Sequence, residues 1–154
     1  MKKRTKISKF TKCLLSMMLA VTIFFSSTVP AQANVMGIDV SRWNGQINWN
    51  EVAAAGIPYA FIRVGTTIGG VDMRFHENVI NAQAAGIRTG VYIYSYAKNV
   101  EEAIMEALLV LQWIEGYNIN FPIAYDIEDS IHHELDPATI TAMCNAFCDV
   151  IASA

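Results

Sequence analysis

Phe121-Pro122-Ile123-Ala124-Tyr125-Asp126-Ile127-Glu128-Asp129 is an apolar run that ends in two carboxylates separated by one isoleucine. A run this short, with Pro122 at its start, predicts a buried strand over residues 122–127. Successive side chains on a strand take opposite faces. Asp126 and Glu128 therefore share a face, while Ile127 and Asp129 take the other. Their Cα atoms lie roughly 6.5 Å apart at about 3.3 Å of rise per residue, so both side chains reach one ligand oxygen. Two carboxylates held close push their pKa values apart, and one keeps a proton near neutral pH. This layout suits glycoside cleavage, which needs a proton donor beside a charge that stabilises the developing cation. The same pattern also fits a strand end whose charges simply meet solvent.

Outward from this stretch, strands and helices alternate. Residues 35–40, 59–64 and 89–96 predict three earlier strands, each nearly continuous in apolar residues as buried parallel strands are. In the third, Val91, Ile93 and Ser95 take one face and Tyr92, Tyr94 and Tyr96 the other. Asn48 with Glu51, and Asn99 with Glu102, have the form of capping boxes that open helices. The first of these helices stops at Gly56 and Pro58, and the second runs to Gly116. Between them residues 74–85 form a helix ended by Gly86, and Asp136-Pro137 opens a last helix with Asp as N-cap and Pro at N1. The alternation predicts an α/β fold with a parallel sheet. Gly65, Gly69 and Gly70 match neither nucleotide fingerprint, which favours a (βα) barrel over a doubly wound nucleotide binder. In barrels, function sits at the C-terminal ends of strands. Asp39, Tyr94, Tyr96, Asp126 and Glu128 all fall there.

Residues 1–33 read as a secretory signal. Lys2, Lys3, Arg4, Lys6, Lys9 and Lys12 form a basic start, residues 14–25 an apolar segment too short to span a membrane, and Ala31-Gln32-Ala33 a cleavage site. The mature chain is expected to begin at Asn34, as an exported protein with no membrane association after cleavage. Six of the 11 basic residues lie in that segment, which leaves five against 14 acidic ones, a balance of −9. So acidic a domain excludes nucleic acid and anionic surfaces as natural partners, and suits a neutral polymer. Its roughly 120 residues form one domain with a real core. Cys144 and Cys148, four apart on a helix, are spaced too widely for a disulfide and are expected to be two buried thiols. No cofactor and no metal is expected.

Several stretches together resemble the glycoside hydrolase family 25 lysozymes. Met36-Gly37-Ile38-Asp39-Val40-Ser41-Arg42-Trp43-Asn44-Gly45, followed by Trp49, is similar to that family's opening. Tyr125-Asp126-Ile127-Glu128 is similar to its Asp-x-Glu on strand four. Phe61-Ile62-Arg63, Ala84-Ala85-Gly86-Ile87 and Gly90-Val91-Tyr92-Ile93-Tyr94-Ser95-Tyr96 fall between them in the family's order. The resemblance covers essentially all of 35–154. It implies an irregular, TIM-like β/α barrel, of which this chain carries about the first four βα units. It also implies an N-acetylmuramidase that cuts the β-1,4 bond between N-acetylmuramic acid and N-acetylglucosamine in peptidoglycan glycan strands. Carried over by position, Glu128 is the general acid, Asp126 stabilises the substrate or the charge that forms, and Asp39 completes the acidic cluster. Tyr94, Tyr96 and Trp43 would bind the saccharide.

Family members continue past strand four with further strands, so the catalytic domain at 34–154 is expected to be truncated at its C-terminus. Its inner face, with Ile38, Phe61, Ile62 and Tyr92, would then lie open, and its sheet edges would invite self-association. A glycan-binding half-barrel that does not cut is one alternative. A metal-dependent polysaccharide deacetylase using His132, His133 and Asp126 is another, although adjacent loop histidines read first as solvated surface. A chitinase is disfavoured, because that signature wants acidic residues where Phe121 and Ala124 stand.

Overall fold

A computed structural model describes residues 35–154; the predicted signal at 1–33 and the new terminus at Asn34 lie outside the described residues. The elements are β1 (Ile38–Val40), α1 (Trp49–Ala54), β2 (Tyr59–Thr66), β3 (Gly70–Val71), α2 (Phe75–Ala84), β4 (Arg88–Tyr94), α3 (Val100–Trp113), β5 (Ile123–Asp126) and α4 (Pro137–Ala152). Short 3-10 turns lie at Arg42–Asn44 and Ser130–Glu134. The predicted alternation of strand and helix is present, with ends displaced by a few residues. Asn48, Asn99 and Asp136 each accept a backbone N–H of the first turn, which satisfies donors that the helix itself leaves unpaired. In both Asn caps the glutamate returns to the Asn side chain rather than to its backbone.

The sheet runs β1-β2-β4-β5, all parallel, as expected of an α/β chain. Register places Asp39 beside Phe61, Arg63 beside Tyr92, and Tyr94 beside Asp126. The sequence reading missed β3, two residues that turn back antiparallel on the end of β2. It is too short to carry a period. Gly65 permits it, because any Cβ there would collide with the Gly70 carbonyl.

The core lies on one face of the sheet, under the helices: Ile62, Val64, Val91 and Ile93 meet Val79, Val110, Phe75 and Phe147. Alternation sends the neighbouring side chains to the opposite face, where Phe61, Arg63, Tyr92 and Tyr94 line a cavity. This corrects the expectation for Ile62, which is fully buried beneath the helices rather than on the open face. Ile38 packs partly against the same core. On the cavity side Phe121 lies 5.3 Å edge-on from Phe61 and 4.6 Å from Tyr59 in a stack.

The thiols also need correcting. Cys144 and Cys148 are free, but Cys144 is only half-buried and Cys148 is exposed, because α4 turns Met143 and Phe147 inward instead. Among the described residues, no strand pairs with the outer edge of β1 or β5.

Candidate active site

Four strands and the segments that follow them build the site. The 3-10 turn after β1 is closed by Ser41 and Asn44, each side chain accepting an amide of the other's end. That fixes Arg42 and Trp43 at the cavity lip, where the guanidinium lies 4.7 Å over the indole and Trp43 is 76% exposed. β4 contributes Tyr92 and Tyr94, with Tyr96 just beyond, and the Tyr94 and Tyr96 rings lie 5.3 Å apart. β5 ends at Asp126, and Glu128 follows two residues later on the same side. The cavity is about 860 Å³. Asp39, Trp43, Tyr94, Tyr96, Asp126 and Glu128 all line it.

Asp129 departs from its expected place on the far face. The chain leaves the strand at Asp126, so alternation no longer governs it. Asp129 caps the Ser130–Glu134 turn through the Ile131 amide and accepts the Tyr94 hydroxyl at 3.1 Å. It thereby holds one aromatic wall of the cavity. His132 and His133 are not a solvated pair either. His132 is buried, with Nε2 3.0 Å from the Ala97 carbonyl, while His133 is exposed. Neither lines the cavity, and no group of three or more His, Cys, Asp or Glu among the described residues is placed to hold a metal ion. Among the described residues, His132 and His133 are thus not gathered with Asp126 as the deacetylase alternative requires.

Matching against known families gives glycosyl hydrolases family 25 over residues 38–154. The chain belongs to that family. Lysozyme M1 of Streptomyces globisporus is 43% identical over 63 residues, 41% of this chain and 21% of that protein. Among solved structures, the autolysin LytC of Streptococcus pneumoniae superposes with a TM-score of 0.66 at 27% identity, over 75% of this chain and 29% of LytC. The lysozyme of Streptomyces coelicolor gives 0.64 at 26% identity, over 79% of this chain and 59% of that one. The family 25 chain thus spans between about a fifth and three fifths of the length of these relatives. Its parallel sheet with alternating helices is the fold they share, present as a partial barrel.

Electrostatics single out Asp126 in this family 25 site. Burial, then the charges of Glu128 and Asp39, push Asp126 up to about 6, against the opposing pull of Arg63 and His132. Burial also raises Tyr92 to about 12, and burial with the bond to Asp129 does the same for Tyr94, so both stay neutral hydrogen-bonding groups. Arg63 is a residue whose role the sequence reading left unassigned. Its Nε and Nη2 donate to Asp72 Oδ2 at 2.9 and 2.6 Å, and Asp72 also accepts the amides of Arg42 and Arg74. A charged residue inside the apolar run 59–64 was the available signal, because a buried strand keeps a charge only with a partner.

The raised Asp126 has a stability consequence. Its folded pKa of about 6 exceeds its ordinary 3.8, so the folded state holds a proton that the unfolded chain releases between those values. Stability from this group is full in acid below about 4 and is lost as pH rises through about 6. Asp126→Asn is therefore expected to raise Tm at pH 7–8 and to leave it unchanged near pH 4. Thermal melts across that range check it. A variant less stable than wild type at pH 8 would mean that donors, not burial, govern the carboxylate.

Proposed function

We propose that this protein is an exported peptidoglycan hydrolase that cuts the β-1,4 bond between N-acetylmuramic acid and N-acetylglucosamine. The single observation that carries the reading is one cavity, in a family 25 chain, lined by Asp39, Asp126 and Glu128 with Trp43, Tyr94 and Tyr96 around them. Glu128 hands its proton to the glycosidic oxygen as the bond breaks. Asp126 sits beside it and balances the positive charge that builds on the sugar ring, directly or through the 2-acetamido group. Asp39, at the end of β1, completes the acidic cluster. Exposed Trp43 and the paired Tyr94 and Tyr96 offer flat apolar faces with polar tips, which suit pyranose rings. LytC, whose structure is also known with a synthetic peptidoglycan ligand, supports a glycan strand as the partner. Export follows from the signal-like residues 1–33, and the action is extracellular, on the cell wall.

Turbidity of a suspension of purified cell walls tests hydrolysis against mere binding. Loss of turbidity on adding the protein is the expected result. Protein that sediments with the walls while turbidity holds steady would make this a glycan-binding domain.

A further inference from the structure

The strongest unused feature of the molecule is a carboxylate on the covered side of the sheet. α3 turns Ala103, Glu106, Ala107 and Val110 inward, the i, i+3, i+4, i+7 stripe that normally holds only apolar residues. Glu106 is fully buried there. Among the described residues, the ion pairs are Arg63–Asp72 and Arg74–Glu77, so no cation balances it. Four neutral donors do so instead. Oε2 accepts the Ser95 hydroxyl at 2.6 Å and the Tyr125 hydroxyl at 2.8 Å. Oε1 accepts the Tyr96 amide at 2.9 Å and the Thr67 hydroxyl at 3.3 Å. Packing alone does not call for this, because an apolar side chain of similar volume stabilises a core at least as well as a buried charge.

What a carboxylate adds is the ability to grip several segments at once with strong, directional bonds. The segments gripped here are the ones that form the cavity wall. Thr67 belongs to the β2–β3 turn, whose Ile68 and Gly69 line the cavity. Tyr96 lines it directly. Tyr125 immediately precedes Asp126, and its ring is stacked on Phe147 of α4 at 4.1 Å. The Ser95 amide then donates to the Asp126 carbonyl at 2.9 Å, which closes the connection between the two strand ends.

We infer that Glu106 is a positioning residue for the glycosidase site, a buried carboxylate that holds the ends of β4 and β5 and the β2–β3 turn from behind. The inference rests on the hydrolase reading proposed above. Glu106→Gln keeps the shape but replaces one acceptor oxygen by a donor, so two of the four donors lose their acceptor. Tyr125→Phe removes one donor and keeps the stacked ring. Both variants, with wild type, should be measured for kcat and KM on soluble peptidoglycan glycan fragments and for amide exchange at Tyr96 and Asp126.

Sub-ångström drift of a reacting group is felt in the chemical step. Glu106→Gln is expected to lower kcat about 10–100-fold with KM within about twofold, and to speed exchange at those amides while exchange in α2 is unchanged. Tyr125→Phe should give a smaller change of the same kind. Wild-type kcat per folded molecule in both variants would overturn the inference and leave the hydrolase reading intact. If Glu106→Gln does not fold, a wild-type kcat in Tyr125→Phe overturns it alone. If the wild type cleaves nothing, the hydrolase reading fails instead. Exchange then decides: local acceleration at Tyr96 and Asp126 supports the positioning role, and an unchanged pattern overturns it.

Discussion

Glu128→Gln is expected to abolish nearly all cleavage while leaving the fold and glycan binding in place. The amide keeps the size of the side chain and its ability to hydrogen-bond, but it has no proton to give the leaving oxygen. General acid catalysis typically contributes about 10²–10⁴-fold, and the loss should fall in or above that range. It should appear in kcat rather than KM, because the proton moves only as the bond breaks. Initial rates on soluble glycan fragments measure it. A loss below about tenfold would mean that another group protonates the leaving oxygen, and Asp126 with its raised pKa would be the first to test.

Asp72→Ala is expected to produce the largest loss of stability of any single change near the site. Asp72 and Arg63 are both buried, at 4% and 8% exposure, and the carboxylate serves four donors. Removing it strands the Arg63 guanidinium, and a broken buried pair typically costs about 3–5 kcal/mol. That is a large part of the 5–15 kcal/mol, roughly, that holds a small domain together. Tm should fall by roughly 10–20 °C for a domain of this size. Burial alone would raise the Asp72 carboxyl, but the amides of Arg74 and Arg42 and the Arg63 guanidinium outweigh it and hold it below its ordinary 3.8. A lowered folded pKa means that the contribution is present above about 3.8 and is lost as pH falls through the folded value. Wild-type and variant melting curves should therefore converge in strong acid. A fall of only a degree or two at neutral pH would show that solvent screens the pair.

Local signals in the sequence predict the sheet because they are strong and agree with one another. Each strand is a short apolar run, each helix but α2 opens on an Asn or Asp cap, and a glycine follows the helical run at Gly56, Gly86 and Gly116. The Arg74 side chain makes no such capping bond at α2, whose expected start at residue 74 nonetheless falls within one residue of Phe75. Alternation on β4 was equally legible, with Val91, Ile93 and Ser95 buried and three tyrosines facing the cavity. The same rule misled at Asp129, because the strand ends at Asp126 and Asp129 already caps the Ser130–Glu134 turn. Ile62 was misplaced when it was grouped with Phe61 instead of being assigned to the opposite face.

The sequence hides interactions that need partners far apart in the chain. Arg63 finds Asp72 across a hairpin that no pattern announces, since β3 is two residues long. Glu106 reads as an ordinary helical glutamate until Tyr125 and Ser95 are brought over it by the parallel crossover. Histidines 132 and 133 look alike in sequence, yet the 3-10 turn sends one inward to the Ala97 carbonyl and leaves the other in water. Burial of the two thiols failed for a similar reason. Only packing decides which stripe of α4 faces the core.

The most direct measurement is the chemistry of the new chain ends released from purified peptidoglycan. The digest should be reduced with borohydride and its sugars identified by mass spectrometry, with Glu128→Gln run in parallel. N-acetylmuramitol at the reduced ends, released by wild type and absent with the variant, is the expected result. Reduced N-acetylglucosamine ends, deacetylated sugars, or equal release by the variant would contradict a muramidase that works through Glu128.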